Sequence, residues 1–295
     1  MTLLCIGQSG QVATALAERA STRQVDLVCR GRPAVDLLDL ASLERCATQV
    51  APRLIINAAA YTAVDAAESD ADAALALNRD GARNIAEVCH RREIPLIHLS
   101  TDYVFDGQLD RPYREDDPVS PINIYGESKL AGEIAVRHTL KQNIILRTSW
   151  VYSPFGKNFV KTMLRLAKTR GGASVVNDQI GRPTNALDIA DTVLDIAQVL
   201  RKQAAAPIFG TYHYATRGDC SWADLAALVF EIYEQRTGCK IDLKRIPTSE
   251  YPTPAARPLN SRLDTHKLEQ VFALMPKHWT VGVHNTVNRL IDEGI

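Results

Sequence analysis

Short apolar runs alternate along the first half of the chain with longer stretches whose apolar residues recur at helical spacing. The runs predict strands buried on both faces, as in a parallel sheet, and they lie at 2–6, 25–29, 53–57, 95–99 and 143–148. The helical stretches lie at 11–20, 40–50, 71–92, 126–140, 158–170 and 185–203. This alternation predicts an α/β fold with a doubly wound parallel sheet and helices on both faces.

The pattern loosens after residue 150. Further helices are predicted at 221–236, 264–273 and 282–292. Between the first two of these helices, the segment 247–258 contains four prolines in twelve residues. It cannot form a regular helix, and it predicts a semi-rigid loop across a surface or cleft.

Composition excludes some classes of protein but does not indicate a particular reaction. The chain has 295 residues, 46% of them hydrophobic and 23% charged, and its formal net charge is zero. We therefore expect no nucleic-acid or membrane partner, and no apolar run reaches the roughly 18 residues of a membrane span. Six scattered cysteines predict a reducing, cytoplasmic setting. Seven histidines without ligand spacing predict no metal site.

The first apolar run stops at a glycine. Gly7 ends the run, Gly10 follows three residues later, and an alanine stands three residues after that. In a strand–turn–helix unit, such glycines permit a tight turn and the close approach of a pyrophosphate. The helix N-terminus, here Gln11 and Val12, then offers free N–H groups. An ordinary glycine turn has the same residues, but the position after the first strand favours a dinucleotide-binding domain at 1–150.

Tyr125 and Lys129 stand four residues apart in a predicted helix. Residues at this spacing share a helix face, so both side chains point at one small volume. A tyrosine with an ordinary pKa near ~10 is a poor acid–base catalyst at neutral pH. A neighbouring cation brings its pKa closer to working pH. The spacing also recurs by chance, so it predicts a catalytic pair only together with the glycine turn.

Three further segments follow predicted strands, at the edge where such sheets bind ligands. Residues 57–62 offer small side chains against which a cofactor can lie. Residues 100–107 include the hydroxyl of Thr101 and the carboxylate of Asp102, and Trp150 follows the fifth strand. Each segment also has a structural interpretation, as close packing, an Asx-type turn or a core aromatic. Their joint position at strand ends favours a site.

The same segments resemble a known family. The glycine turn, NAAAYTAVDAAE, STDYVFDG, YGESKLAGE, RTSWVY, DQIGRPT and PTPAARPLNSRLD are similar to motifs of the extended short-chain dehydrogenase/reductases, and within these of the dTDP-4-dehydrorhamnose reductases. The resemblance implies reduction of the 4-keto group of dTDP-4-dehydro-L-rhamnose to dTDP-L-rhamnose, with a nicotinamide dinucleotide as hydride donor. It also implies a Rossmann-type sheet to which the chain returns after 151, while residues 151–295 form mainly a smaller substrate-binding α/β part.

The resemblance assigns roles to single residues. Tyr125 would donate the proton, and Lys129 would bind the nicotinamide ribose and lower the pKa of the tyrosine. Thr101 would hydrogen-bond near the reacting oxygen, and Asp102 and Trp150 would contact the substrate. Besides the Tyr–Lys pair, the residues that would contact the cofactor are Gly7, Gly10, Gln11, Val12, Asp36, Leu37, Ala59, Ala60, Tyr61, Thr62 and Leu99.

Arginines supply the two remaining expectations. The second predicted strand ends in Arg30-Gly31-Arg32, with no acidic residue until Asp36. Because an acid at this place suits NAD and an arginine suits the 2′-phosphate of NADP, the sequence predicts NADPH, with NADH also accepted. The substrate diphosphate calls for a cation, and Arg257 in the proline-rich loop is the candidate. For all these arginines, a solvated surface charge stays the alternative.

Some members of the family are described as dimers bridged by a metal through acids on the first helix and after the G-x-P-T segment. Here these regions read ATAL at 13–16 and NALD at 185–188, so we do not expect the metal bridge, and a homodimer stays open. Two other functions also stay open. One is a regulatory subunit like the β subunit of methionine adenosyltransferase, and the other is a nucleotide-sugar 4-epimerase that retains its NAD.

Overall fold

The structure, a computed structural model, describes residues 2–202 and 208–294. Its strands are β1 (Leu3–Ile6), β2 (Leu27–Arg30), β3 (Leu54–Asn57), β4 (Leu96–Thr101), β5 (Asn143–Thr148), β6 (Val151–Tyr152), β7 (Gly172–Val176), β8 (Ile180–Gly181), β9 (Thr184–Asn185), β10 (Gly210–His213), β11 (Cys220–Ser221) and β12 (Asp242–Ile246). Its helices are α1 (Gln11–Thr22), α2 (Leu40–Val50), α3 (Val64–Ala67), α4 (Ala71–Leu75), α5 (Gly81–Arg91), α6 (Ile124–Thr139), α7 (Phe159–Arg170), α8 (Ala186–Lys202), α9 (Trp222–Thr237), α10 (His266–Phe272) and α11 (Trp279–Asp292).

Six strands form a central parallel sheet in the order β10-β5-β4-β3-β1-β2. The chain runs outward from β1 to β2 and then crosses back to β3 on the other side of β1. Sheets of this kind bind ligands at such a switch point, beyond the carboxyl ends of the strands. Apolar side chains from α1 and α8 cover one face, and those from α2, α5 and α6 cover the other. The predicted doubly wound sheet is confirmed.

The chain after residue 151 builds a second core and also returns to the sheet. Helices α7, α9 and α11 pack together around apolar side chains such as Val229 and Val283. Three small strand pairs, β7 with β12, β8 with β11 and β6 with β9, lie beside this core. Strand β10 joins the central sheet next to β5, so the later part of the chain contributes to both units. The assignment of the two parts to cofactor and substrate stays a prediction.

The structure differs from the sequence predictions in several helices and in the small strands. Helix α11 begins at Trp279, three residues before the predicted start, and the short α3 was not predicted. The helix predicted at 71–92 is interrupted by a π-helical turn at Ala76–Asp80. The helix predicted at 185–203 begins one residue later, because Asn185 lies in β9, and residue 203 lies outside the described residues. The two-residue strands escaped prediction because they are too short to show any periodicity.

Candidate active site

The glycine turn has the shape that a dinucleotide phosphate requires. Gly7 adopts a φ of 136°, and a Cβ added there would lie 3.3 Å from Ala13 and from the backbone of Ala58. Gly10 caps α1, which begins with Gln11 and has no acidic side chain in its first turn. Free N–H groups and the helix dipole therefore favour an anion at this point. The turn fits a dinucleotide diphosphate.

The other residues assigned to the cofactor lie at the same edge of the sheet. Ala59, Ala60, Tyr61 and Thr62 follow β3, and all four are at least partly exposed. Leu99 is in β4, and its carbonyl oxygen accepts a hydrogen bond from Lys129. The small side chains of Ala59, Ala60 and Thr62 leave room for a ligand along the carboxyl ends of the strands.

The adenosine side of the predicted cofactor site lies beyond β2. Arg30 is exposed at the end of this strand, and its Nη1 donates to the carbonyl of Cys29 at 3.0 Å. Asp36 accepts a hydrogen bond from the backbone N–H of Leu38 at 2.9 Å. Leu37 is buried, and its carbonyl oxygen accepts from Asn84 at 2.9 Å. The Arg30 guanidinium has no carboxylate partner among the described residues, so it is available to a phosphate.

Tyr125 and Lys129 occupy the first two turns of α6, beside the end of β4. Asn123 caps the helix by accepting from the N–H of Gly126 at 2.8 Å. A Cβ on Gly126 would collide with the carbonyl of Tyr103, so glycine lets the helix approach the segment after β4 closely. The rings of Tyr103 and Tyr125 meet edge to face at 5.4 Å. This approach places Tyr125 close enough to Thr101 for the threonine hydroxyl to influence its pKa.

The electrostatics keep the phenol neutral beside a cation. Burial raises the pKa of Tyr125 to about 12, although the nearby Thr101 hydroxyl lowers it. Burial lowers the pKa of Lys129 to about 8, while the charge of Glu133 raises it. Lys129 is 3% exposed, and its Nζ donates to Leu99 O at 2.7 Å. At neutral pH, Tyr125 therefore holds a proton that it can donate, and Lys129 is mainly protonated.

Asp102 presents a buried oxygen without a partner. Its Oδ1 accepts from Thr101 Oγ1 at 3.1 Å, whereas Oδ2 is buried and has no hydrogen-bond partner among the described residues. Burial raises the pKa of Asp102 to about 6, although the nearby hydroxyls of Ser261 and Thr101 lower it. Since buried polar atoms are normally hydrogen-bonded, the free oxygen suits a ligand hydroxyl.

Asn78 is a residue of the site that sequence reasoning missed. It lies in the π-helical turn and is 2% exposed. Its Oδ1 accepts from Tyr61 N at 2.8 Å, and its Nδ2 donates to Tyr61 O at 3.1 Å and to Ser128 Oγ at 2.9 Å. Ser128 in turn donates to the carbonyl of Tyr125. Asn78 therefore joins the predicted cofactor loop to the helix of the catalytic pair, and a π-helical turn often marks a functional site.

We expect Asn78→Ala to weaken binding of the nicotinamide cofactor and to lower kcat together. The change removes three buried hydrogen bonds, and it should lower the free energy of unfolding by about 2 kcal/mol. Chemical denaturation, cofactor titration and steady-state kinetics measure the three effects. Asn288→Ala is the control, because among the described residues its side chain makes one hydrogen bond, which it accepts at the surface from Arg236. An Asn78→Ala protein with unchanged cofactor affinity and kcat would contradict the linking role.

A second feature that the sequence did not predict is a buried ion pair between α6 and β5. Glu133 is fully buried and accepts two hydrogen bonds from Arg147, at 2.8 and 2.7 Å. It also accepts from Ser100 Oγ at 2.6 Å and from Arg137 Nη1 at 3.0 Å. Burial acts to raise the pKa of Glu133, but the hydrogen bonds and charge of Arg147 outweigh it and lower the pKa to about 2. Glu133 therefore remains charged one turn beyond Lys129.

The two residues predicted to meet the rest of the substrate are both held by neighbours. The indole of Trp150 stacks on that of Trp222, with ring centroids 3.6 Å apart. Arg257 pairs with Asp65 at 2.8 Å, and its side chain is only 18% exposed. It is therefore not a freely solvated arginine. The backbone N–H of Ala255 also donates to Asp65, which ties the proline-rich loop to α3.

The sheet, its glycine turn and the Tyr–Lys helix define the class of Rossmann-type short-chain dehydrogenase/reductases. The sequence profile of the RmlD substrate binding domain matches residues 1–291. A dTDP-4-dehydrorhamnose reductase of Sinorhizobium fredii is 45% identical over 294 residues, which cover 100% of this chain and 99% of the relative. The enzyme of the same name from Escherichia coli K12 is 43% identical, with 98% of each chain covered. This chain belongs to the RmlD family of dTDP-4-dehydrorhamnose reductases.

Solved structures agree with the sequence comparison. A dTDP-4-dehydrorhamnose reductase from Clostridium acetobutylicum superposes with a TM-score of 0.90 at 32% identity, covering 99% of this chain and 100% of that one. The enzyme of the same name from Bacillus anthracis, in complex with NADP, gives a TM-score of 0.89 at 34% identity, covering 98% and 100%. Both matches include the sheet and the later core.

Proposed function

We propose that this protein reduces the 4-keto group of dTDP-4-dehydro-L-rhamnose to give dTDP-L-rhamnose, with NADPH as hydride donor. The observation that carries the proposal is the meeting of Tyr125, Thr101 and Lys129 at the carboxyl edge of the sheet, beside a turn that fits a dinucleotide. Membership of the RmlD family supports the choice of substrate.

The bound cofactor supplies the hydride, and the residues of this chain handle the oxygen. Hydride addition leaves negative charge on the former carbonyl oxygen, so an acid within hydrogen-bond reach is needed. Tyr125 donates that proton, because its pKa of about 12 keeps it protonated at neutral pH. Thr101 hydrogen-bonds beside it, and the Lys129 ammonium stabilises the phenolate that remains.

The substrate side of the proposal rests on three residues. Asp102 offers its free Oδ2 to a sugar hydroxyl, and Trp150 offers apolar surface. Arg257 lies where the proline-rich loop meets α3, and it binds the diphosphate while sharing its charge with Asp65. The arginine has five N–H donors, so donors remain for the diphosphate when one carboxylate is bound.

The test is product identification by NMR after incubating the protein with dTDP-4-dehydro-L-rhamnose and NADPH. The proposal predicts dTDP-L-rhamnose and one NADP⁺ per product. A 4-epimerase would carry NAD through purification and need no added cofactor. A regulatory subunit would give no product. A different stereoisomer at C4 would keep the reductase class but remove the proposed product.

The cofactor preference makes a second test. We expect wild-type protein to have a kcat/KM for NADPH about tenfold or more above that for NADH, since a phosphate–arginine pair is a strong charge-assisted contact. Arg30→Ala should lower kcat/KM with NADPH and leave that with NADH unchanged. Arg45→Ala is the control, because Arg45 is an exposed arginine of α2 that lies 3.6 Å from Asp39. Equal loss with both cofactors would show that Arg30 does not recognise the phosphate.

A cytoplasmic protein without a bridging metal completes the proposal, and a homodimer stays open. Within residues 2–202 and 208–294, no helix is long and apolar enough to cross a membrane, and no group of three acidic, histidine or cysteine side chains is placed to hold a metal. Helix α1 does carry an acid, Glu18, but it binds Arg289 of α11 at 2.9 Å. Asp188 likewise binds Lys277 at 2.9 Å. Light scattering with and without a chelator tests the oligomeric state.

A further inference from the structure

Trp150 has a backbone conformation that a bulky residue rarely adopts. Its φ is 48°, in the left-handed region, and such a conformation is costly for a side chain of this size. Strain of this kind persists only where the surroundings hold it, and it concentrates at functional sites. Thr148 pairs with Thr101 in the register of β4 and β5, so Trp150, two residues further on, lies at the edge of the sheet that holds the catalytic residues.

Trp222 is the largest of the groups that hold the indole of Trp150. The two rings are nearly parallel, with an interplanar angle of 10° and centroids 3.6 Å apart. Phe159 packs against the same Trp222 ring at 4.6 Å. One face of Trp150 is therefore covered by protein, and it cannot also receive the sugar.

A single small strand pair places both neighbours of Trp150. Strands β8 and β11 pair so that Gly181 stands opposite Cys220 and Ile180 opposite Ser221. A Cβ added to Gly181 would collide with the indole of Trp150. The ring therefore occupies the position that a side chain at residue 181 would need. Trp222 follows Ser221, which caps α9 through reciprocal hydrogen bonds with Asp224. The capped helix start fixes Trp222 in place.

We propose that Trp222 is a positioning residue for substrate binding: by stacking on Trp150 it sets the orientation in which that indole meets the nucleotide sugar. Gly181 assists by leaving the ring its space. The inference rests on the proposed function, in which Trp150 contacts the substrate. Neither residue lies on the dinucleotide turn, so cofactor binding does not depend on the stack.

The experiment measures KM for dTDP-4-dehydro-L-rhamnose, kcat and the NADPH Kd in Trp222→Leu, Trp222→Phe and Gly181→Ala. We expect Trp222→Leu and Gly181→Ala to raise KM about tenfold, the upper range of an aromatic stacking contribution. Trp222→Phe, which keeps a ring, should raise it less. We expect kcat to change by less than about threefold and the NADPH Kd to stay constant, since the altered contact involves substrate alone.

Circular dichroism gives a second measurement, and its signal does not depend on the stability of the protein. The chain has three tryptophans, and only the stacked pair should produce an exciton couplet, which Trp222→Phe must abolish. Trp279→Phe is the matched control, because Trp279 belongs to the second core and not to the stack. It should keep the couplet and the wild-type KM.

The two levels of the proposal fail in different ways. If the wild-type protein turns over substrate, and Trp222→Phe and Gly181→Ala have the same KM as wild type, the positioning role alone is overturned. A rise in KM as large in Trp279→Phe as in the Trp222 variants would also overturn it, because the effect would then be a general loss of packing. Absence of turnover by the wild-type protein would remove the proposed function, and this inference with it.

Discussion

Replacing Tyr125 by phenylalanine should lower kcat for ketone reduction about 100-fold or more, while the fold and the NADPH affinity survive. The change removes one hydroxyl and keeps the ring that packs edge to face on Tyr103. The other acid beside Thr101 is Asp102, and its pKa of about 6 leaves it mostly without a proton to donate at neutral pH.

Single-turnover kinetics with saturating NADPH measures the chemical step, and fluorescence titration measures the cofactor Kd. Tyr212→Phe is the matched control. It also removes a buried tyrosine hydroxyl, which donates to Ile208 O at 2.9 Å, but Tyr212 lies on β10 and packs against Phe272 of α10. Its kcat should stay near that of wild type. A folded Tyr125→Phe protein that turns over at the wild-type rate would exclude Tyr125 as the proton donor.

Glu133→Gln should lower the free energy of unfolding by about 3–5 kcal/mol, the usual cost of removing one partner from a buried ion pair. Arg147 is 2% exposed, and its carboxylate partner is Glu133. The glutamine would leave the guanidinium charge buried between β5 and α6 without compensation. It would also leave Ser100 and Arg137 without their charged acceptor.

Equilibrium unfolding in urea measures the loss, with Arg236→Gln as the control. Arg236 pairs with Asp292, and both side chains are exposed, so breaking that pair should cost less than about 1 kcal/mol. The double variant Glu133→Gln/Arg147→Met should recover much of the stability, because no buried charge is then left alone. A loss in Glu133→Gln no greater than that in Arg236→Gln would show that the buried pair is not a stabilising unit.

Five of the six strands of the central sheet were predicted, because they are short apolar runs, whereas β10 was not predicted. Strands β1, β3 and β5 are buried throughout, and such runs stand out in any sequence that otherwise follows helical spacing. The pairs β7 with β12 and β8 with β11 were not predicted. Strand β12 is mostly exposed. Its residues are therefore largely polar, and they do not form the apolar run by which a buried strand is predicted.

The sequence by itself determined the local features of this protein. Apolar periodicity specified the first five strands and the longer helices, the glycine spacing specified the turn after β1, and helix geometry placed Tyr125 and Lys129 on one face. These features depend on residues within a few positions of one another, so the local backbone rules suffice to read them.

Only the tertiary structure decided which distant side chains meet. Asn78 reaches Tyr61 and Ser128, Glu133 binds Arg147, and the Trp150 indole rests on Trp222. Each partner comes from another helix, strand or loop. Local periodicity specifies which face of an element is buried but not the neighbour that covers it. The relative positions of packed elements follow from the close packing of the whole core, which no short segment encodes.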